Sequence, residues 1–436
     1  MTTASPEAAR RRSLIRHRDF LKLWSAQTIS VFGSQVSALA IPLVAALILK
    51  VDPFSFALLG TIEFLPFILF ALPAGAWVDR LRRRPILISG DLGRAIALAT
   101  IPAVYALNAA YLTIWQLYLV GFVTGTLTVF FDVANQSYLP SIVDRDQLID
   151  ANSKLQISQS AAQIAGPGIA GFLVGIVTAP FAILLDSASF VASAILVFFI
   201  RRPEPPVEEP ADGSGRRPSF LAQVREGIGF VLGNRALRGI AAGTSTSNLF
   251  GNIGGAIVLL YMVQGLNLRP EQIGLVFALG NIGTLVGAAM ANRVAGWFGL
   301  GPTIVGSLFL GSFFPLLVAI APAGNPIPFL VAAGMLGGLS QMIYNINQVS
   351  YRQAICPPRM QGRMNATVRF FIWGTIPIGN VIGGVLGSTI GLHATIWVSA
   401  ILSFTPAIWP FLSPIRHVRV MPAQVVDEPG PSPATA

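Results

Sequence analysis

With one cysteine in 436 residues, Cys356, the chain has no partner for an internal disulfide and draws nothing from an oxidising compartment. Its three histidines, His17, His393 and His417, are scattered in loops or at the ends of apolar runs, and no zinc-ligand spacing occurs. No Gly-Lys-Ser or Gly-Lys-Thr is present to cradle a phosphate, so ATP is not the expected energy source. Charge is scarce too, at 11% of residues. No set of nucleophile, base and acid stands out, so an enzyme is not expected and no cofactor or metal is required.

What fills the chain is apolar. Residues of that class make up 53%, with 28 Phe, 43 Gly and 31 Pro, and the mean hydropathy is +0.66. A hydrocarbon core about 30 Å thick needs about 20 mostly apolar residues per helix. Twelve such runs occur, near 22–48, 56–78, 86–107, 113–136, 155–178, 181–200, 238–263, 272–292, 302–321, 327–350, 369–390 and 394–413. The fold class expected is an all-α membrane protein of twelve transmembrane helices.

The net charge of +10 is distributed by side rather than by patch. Of 29 Lys and Arg, only Lys50 and Arg269 fall in loops on one face; the others lie on the opposite face or just inside the spans that meet it. Positive charge concentrates on the cytoplasmic side, which puts both termini in the cytoplasm of a multi-pass protein of the cell (inner or plasma) membrane. The charge therefore reads as orientation and attraction to anionic headgroups, not as nucleic-acid binding. The cluster Arg10–Arg18, an apolar run and Ala38-Leu39-Ala40 imitate a cleavable signal, but Gln27, Ser30, Ser34 and Gln35 spoil its apolar region.

A polar stretch, Arg201–Ser219, rich in Pro, Glu and Gly, reads as a flexible cytoplasmic linker. After it, Phe220, Leu221, Val224, Ile228, Val231 and Leu232 recur at helical spacing, as in a helix lying on the inner membrane surface. The expected organisation is a six-helix bundle over 1–200, linker and surface helix over 201–236, a second six-helix bundle over 237–414 and a disordered tail over 415–436. An offset of 212 or 213 takes Asp79-Arg80 to Asn292-Arg293, Gly125 to Gly337, Asn135-Gln136 to Asn347-Gln348, and Gly166 with Gly171 to Gly379 with Gly384. Two homologous, pseudo-symmetric bundles follow.

Five charges are packed into the six residues Asp79–Arg84, in the cytoplasmic turn between spans 2 and 3. For Arg82 and Arg83 two readings stand side by side, orientation alone or a share in a gate. Gly75 and Asp79 sit four apart on one helical face, where a missing side chain admits a neighbouring helix and an acid meets its positive N-terminal end. The turn resembles the G-x-L-x-D-R-x-G-R-[RK] motif of the major facilitator superfamily, with Gly75, Asp79, Arg80, Arg83 and Arg84 matching, while Trp77 and Arg82 depart from it. By that resemblance Asp79 faces the start of span 11, near Arg363–Arg369, and latches the inner ends of the halves.

Ala165–Gly171 in span 5 is similar to the superfamily's GP-x-x-GG antiporter signature, with Ala170 in place of one Gly. Pro167 removes a backbone hydrogen bond and bends the helix, and Gly166 and Gly171 would allow packing against the other half. The resemblance extends over nearly the whole chain and leans toward the branch of macrolide-efflux and enterobactin-exporter proteins, which implies proton antiport of a drug or siderophore. That branch's neighbours carry an arginine in span 4; none lies between Thr113 and Gln136, so coupling is expected to run through acids alone.

Acids within the bilayer are costly and mark function. Glu63, about 12 Å below the outer end of span 2, is the first candidate proton carrier. Asp132, about 28 Å along span 4, ranks second and above Asp186 of span 6, a helix the resemblance places outside the cavity. Asp91 and Arg94, three apart on span 3, should pair. Polar stripes mark a chamber on spans 1, 4, 7 and 10: Gln27, Ser30, Ser34 and Ser37; Thr124 and Thr128; Asn248 and Asn252; Gln341, Tyr344 and Gln348. Phe32, Phe250, Tyr344 and Trp373 add aromatic walls. The reading is a monomeric exporter of a small hydrophobic or amphipathic compound in exchange for protons, embedded in lipid; uptake by the same machinery and a non-transporting sensor are the alternatives.

Overall fold

The computed structural model describes residues 14, 17–78, 81–144, 147–202, 204, 220–357 and 360–422, all helix, turn or loop, with no β-strand among them. The helices are α1 (Arg18–Leu43), α2 (Pro53–Val78), α3 (Arg83–Leu107), α4 (Ile114–Ile142), α5 (Leu148–Val177), α6 (Ala179–Phe198), α7 (Phe220–Gly233), α8 (Arg235–Leu260), α9 (Pro270–Phe298), α10 (Leu300–Gly311), α11 (Phe313–Ala319), α12 (Ile327–Ile355), α13 (Gln361–Thr389), α14 (Leu392–Leu402) and α15 (Ile408–Leu412). Among the described residues, eleven helical stretches are long and apolar enough to cross a membrane. The twelfth crossing is α14 followed, after a break, by α15.

Helix is the only open-ended arrangement in which every backbone group finds a partner within its own segment in lipid. Polar residues set the ends. His17 accepts the Phe20 N–H through Nδ1 at 3.1 Å and starts α1; Asn234 accepts from Ala236 and Leu237 and starts α8. Asp52 caps α2 through Phe54 and Ser55. Its partial burial works against ionisation, yet those hydrogen bonds hold the carboxyl below its usual range.

The two bundles repeat one packing scheme. In the first, α1 packs on α5 and α6, α2 on α4, and α3 on α4 and α6; in the second, α8 packs on α13 and α14, α9 on α12, and α10 and α11 on α12, with α11 on α14. Even irregularities recur. A π-helical turn, Val44–Ile48, ends the first span and Tyr261–Gly265 ends the seventh, each followed by a left-handed residue, Lys50 (φ 48°) and Asn267 (φ 54°). These features lie 217 positions apart, whereas α4 and α12, or α6 and α14, start 213 apart. The single offset of the sequence reading therefore holds only for the later spans of each half, because the ninth span is shorter than the third; Asp79-Arg80 is not the counterpart of Asn292-Arg293.

Three further expectations change. The ninth span is broken into α10 and α11 at Ser312, and the twelfth is interrupted at 403–407. Pro315 and Pro406 have no N–H to give to the carbonyls four residues earlier, which favours the breaks. The surface helix forms as α7, but it docks on α13: Gly227 lies against Thr367 and Arg363, Val231 is buried, and Glu226 pairs with Arg363. The linker's first residues are also held rather than loose, since Arg202 bonds the Ile142 carbonyl and Asp144 while Glu204 meets Arg83. The remainder of the linker and the tail beyond 422 fall outside the described residues.

The halves meet along α5 with α9 and, by symmetry, α2 with α13. A Cβ on Gly171 would lie 2.7 Å from the Cα of Gly274, so these backbones touch only because both residues are glycine. Gly384 meets Phe54 and Ala57 in the matching contact. Near this end one hydrophobic core runs across both halves, including Leu43, Val44, Leu59 and Val174 with Ile257, Leu260, Tyr261 and Ile273. Toward the opposite end the cores separate, one within the first half and two within the second. The bundles are sealed at the end that bears Lys50 and Arg269.

Forcing that seal apart gives the first test. With Cys356→Ser as background, Gly171→Leu should raise the labelling rate of a Val258→Cys reporter by membrane-impermeant maleimide about tenfold, a shift of about 1.4 kcal/mol between states. An unchanged rate would mean that the α5–α9 contact does not control access.

Candidate functional site

Arg94 sits eleven residues into α3, about 16 Å from its start, deeper than the sequence reading allowed. Its guanidinium lies between two aromatic rings, 4.3 Å from the centroid of Phe131 on α4 and 4.1 Å from that of Phe190 on α6. Asp91, one turn earlier, forms an ion pair with it as expected, the two side chains being 0% and 5% exposed. Arg94 also donates to the Thr128 hydroxyl at 3.4 Å, and Asp132 and Asp186 are close enough to act on its charge. A pair so deeply buried stands only if both charges stay matched.

Beside this guanidinium is a cavity of about 180 Å³ within the first bundle, lined by Ser34 and Ser37, Glu63, Arg94, Thr124 and Thr128, and Asp186. Glu63 fits because Gly121 on α4 has no side chain: a Cβ there would lie 2.7 Å from Glu63 Cγ. The Glu63 carboxyl has no hydrogen-bond or ion-pair partner among the described residues. Asp186 is buried and accepts from the Ser189 hydroxyl at 3.1 Å. An arginine is present at this depth after all, on α3 rather than α4, and Asp186, ranked below Asp132, lines the cavity with Glu63 and Arg94. Asp132 is exposed and, because α4 runs to Ile142, lies ten residues from its end rather than close to it. Depth within an apolar run is the signal in the sequence that singles out Arg94.

The polar stripes do not converge on one chamber. Ser34, Thr124 and Thr128 line the small cavity. Gln27, bonded to Asn135, lines a groove of about 1120 Å³ between α1, α4 and α5. Asn248, Asn252, Gln341 and Tyr344 line a separate cavity of about 460 Å³ inside the second bundle. Ser30 is buried, Phe32 is half-buried, and Phe250 accepts from Ser399 through its carbonyl. Trp373 lies edge-on to Phe64 across the two halves, with centroids 6.0 Å apart.

Of the turn after α2, Asp79 and Arg80 lie outside the described residues. Gly75 receives no neighbouring helix; the space around it is open, as separated ends require. Arg83 and the backbone of Arg84 meet Glu204, and Arg84 reaches the Phe198 carbonyl, so both serve their own half. Arg363, the expected neighbour of Asp79, is engaged by Glu226. In α5, Gly171 meets the other half as expected, but Gly166 packs on Gln35 of α1 in its own half; Pro167 presents its carbonyl to Gly274.

Comparison with known proteins agrees with this architecture. The sequence profile of the Major Facilitator Superfamily matches residues 23–251 and again 240–432. Macrolide efflux protein A of Streptococcus pyogenes is 24% identical over 414 residues, covering 92% of this chain and 97% of that protein. Multidrug efflux pump Tap of Mycolicibacterium fortuitum is 25% identical over 356 residues, covering 78% and 81%. The crystal structure of a bacterial homologue of the iron transporter ferroportin in its inward-facing state superposes with a TM-score of 0.74 at 15% identity, covering 90% of this chain and 98% of that one. The outward-facing state of such a homologue scores 0.56 at 16% identity over the same shares. Repeated bundles, family match and shared fold lead to one statement: this multi-pass membrane protein belongs to the Major Facilitator Superfamily of small-molecule transporters.

Proposed function

We propose that the protein exports a small hydrophobic or amphipathic compound in exchange for protons, as a monomer in the cell membrane with both termini in the cytoplasm. The observation that carries this reading is Glu63, Arg94 and Asp186 lining one cavity at bilayer depth in the first bundle, with Asp91 paired to Arg94 and Asp132 close enough to act on its charge. Acids at such depth are kept for work with ions. Glu63 has no partner among the described residues and can take up or release a proton without breaking an ion pair. Arg94 and Asp186 line the same cavity, and a change of charge there biases how the helices around it pack. Asp132 is the second carrier, exposed toward the separated end.

Export is supported by the names of two relatives, a macrolide efflux protein and a multidrug efflux pump. The sealed end bears Lys50 and Arg269, which the charge distribution assigns to the outside. That assignment makes this conformation inward-facing, in keeping with the TM-scores of 0.74 and 0.56 against the two states. Substrate would enter from the cytoplasm, and the bundles, divided as 1–200 and 237–414, would rock about the site. On inward closure Asp79 would exchange with Glu226 for the basic end of α13.

In inside-out vesicles with an acidic lumen, wild-type protein should accumulate substrate, and Glu63→Gln should abolish accumulation while retaining substrate exchange at equal pH. Full accumulation by the variant would remove Glu63 from the mechanism; indifference to the gradient would remove antiport. Separately, Asp91→Asn leaves Arg94 poorly matched and should cost about 3 kcal/mol of stability, read as a lowered unfolding midpoint in detergent. Arg94→Lys should fail comparably, because an ammonium cannot fill the slot between Phe131 and Phe190. A midpoint unchanged in both variants would show that the pair carries no structural weight.

A further inference from the structure

The cavity inside the second bundle is the counterpart of the small one in the first. By the observed registers, Ser34 corresponds to Gly251 and Glu63 to Gly280, while Thr124 and Thr128 correspond to Gly337 and Gln341; all four counterparts line the larger cavity. At the remaining acid, Asp186, the counterpart is Ser399, 213 positions on. Of the two cavities, only the one in the first half carries charge. Where carboxylates line the first cavity, at Glu63 and Asp186, the second bundle has glycine and serine, and the space is about 460 rather than about 180 Å³.

The ninth and twelfth spans also lose regularity beside this cavity, the ninth by a tightened turn at Ser312, whose backbone stays helical (φ −64°, ψ −20°), and the twelfth by the interruption at 403–407 between α14 and α15: Gly311, Ser312, Pro315 and Ser403 are among its lining residues. The Ser312 hydroxyl donates to the Ser403 carbonyl across the gap. Their counterparts α3 and α6 run unbroken. Non-helical backbone at bilayer depth, as at 403–407, is tolerated where protein buries it or where it borders a polar site, and interrupted helices of transporters gather at such sites.

We propose that this cavity is the substrate pocket, and that it takes an uncharged amphiphile: an aromatic or alicyclic molecule with hydroxyl, carbonyl or amide groups. This rests on the transporter reading above and adds a location and a chemical class to it. The lining contains no Asp, Glu, Lys or Arg, so a cationic or anionic ligand would lose its hydration with nothing to replace it. Phe277, Phe314 and Met262 supply the apolar wall, and Asn248, Asn252 and Gln341 the hydrogen-bonding groups. The volume falls in the range of small-molecule sites. Protons and substrate would then occupy different halves, coupled through the packing between them rather than by competing for one residue.

The test uses the full chain in detergent, an uncharged benzophenone amide as photoreactive probe, and tetraphenylphosphonium as its cationic counterpart. A Cβ on Gly251 would meet nothing within 4 Å, so Gly251→Phe enters the cavity without displacing a neighbour at its root. Gly306, equally unobstructed but exposed on α10 and absent from the lining, serves as control through Gly306→Phe. The expected result is saturable labelling of α8 and α12 peptides by the amide. Gly251→Phe should weaken it about tenfold, and Gly306→Phe should leave it unchanged. Asn252→Asp should confer binding of the cation. Labelling centred on α1 and α4, no saturable labelling, equal affinity of wild type for the cation, or indifference to Gly251→Phe would each overturn the proposal. Because binding is read without a gradient, loss of antiport would leave this result standing, and loss of binding would leave the gradient result standing.

Discussion

An arginine about 16 Å inside a membrane helix can remain charged only among acids and polarisable rings, and the first bundle is arranged around that requirement. Arg94 draws together α3 through Asp91, α4 through Phe131 and Thr128, and α6 through Phe190. Once those elements are drawn in, Glu63 and Asp186 are brought to the same cavity from α2 and α6. Charge that would be prohibitive singly becomes tolerable as a group, and a group of this kind responds when one proton is added or removed.

The second bundle shows what the same scaffold becomes without that requirement. With serine at the counterpart of Asp186, no charge there holds the twelfth span in register, and it is interrupted by the proline-bearing turn at 403–407; on the eighth span glycine stands where the second has Glu63. Helices α9 and α12 compensate by direct backbone contact at Gly280 and Gly334. Between the halves the same economy of side chains recurs: Gly171 on Gly274, and Gly384 on α2. Such contacts are close yet contain few interlocking groups, which suits surfaces that must part and rejoin.

Much of this is legible from residues alone, for particular reasons. Hydropathy locates spans because lipid demands about 20 apolar residues each, and the number of crossings and the duplication follow. Glu63 stands out because an acid within such a run has few bland explanations. The pairing of Arg94 with Asp91 is legible from their spacing and the depth of Arg94 from the apolar run around it, but the rings of Phe131 and Phe190 that flank it come from two other helices and are not. Gly166 meets a different neighbour from the one its motif suggests, since spacing on one helix does not reveal which of two helices fills each groove. The uniform repeat offset fails where the ninth span is shorter, an event that leaves no mark until π-helical turns and left-handed residues align the halves.

Composition and hydrophobic patterning therefore determined a helical, membrane-spanning, duplicated chain, because the bilayer penalises every alternative for the backbone. Tertiary structure alone decided which polar residues share a space. Two residues on different spans meet only according to rotation about each helix axis and the register between helices, and small glycine contacts set both. For that reason stripes that look like one chamber in the sequence become a charged cavity in one half and an uncharged one in the other.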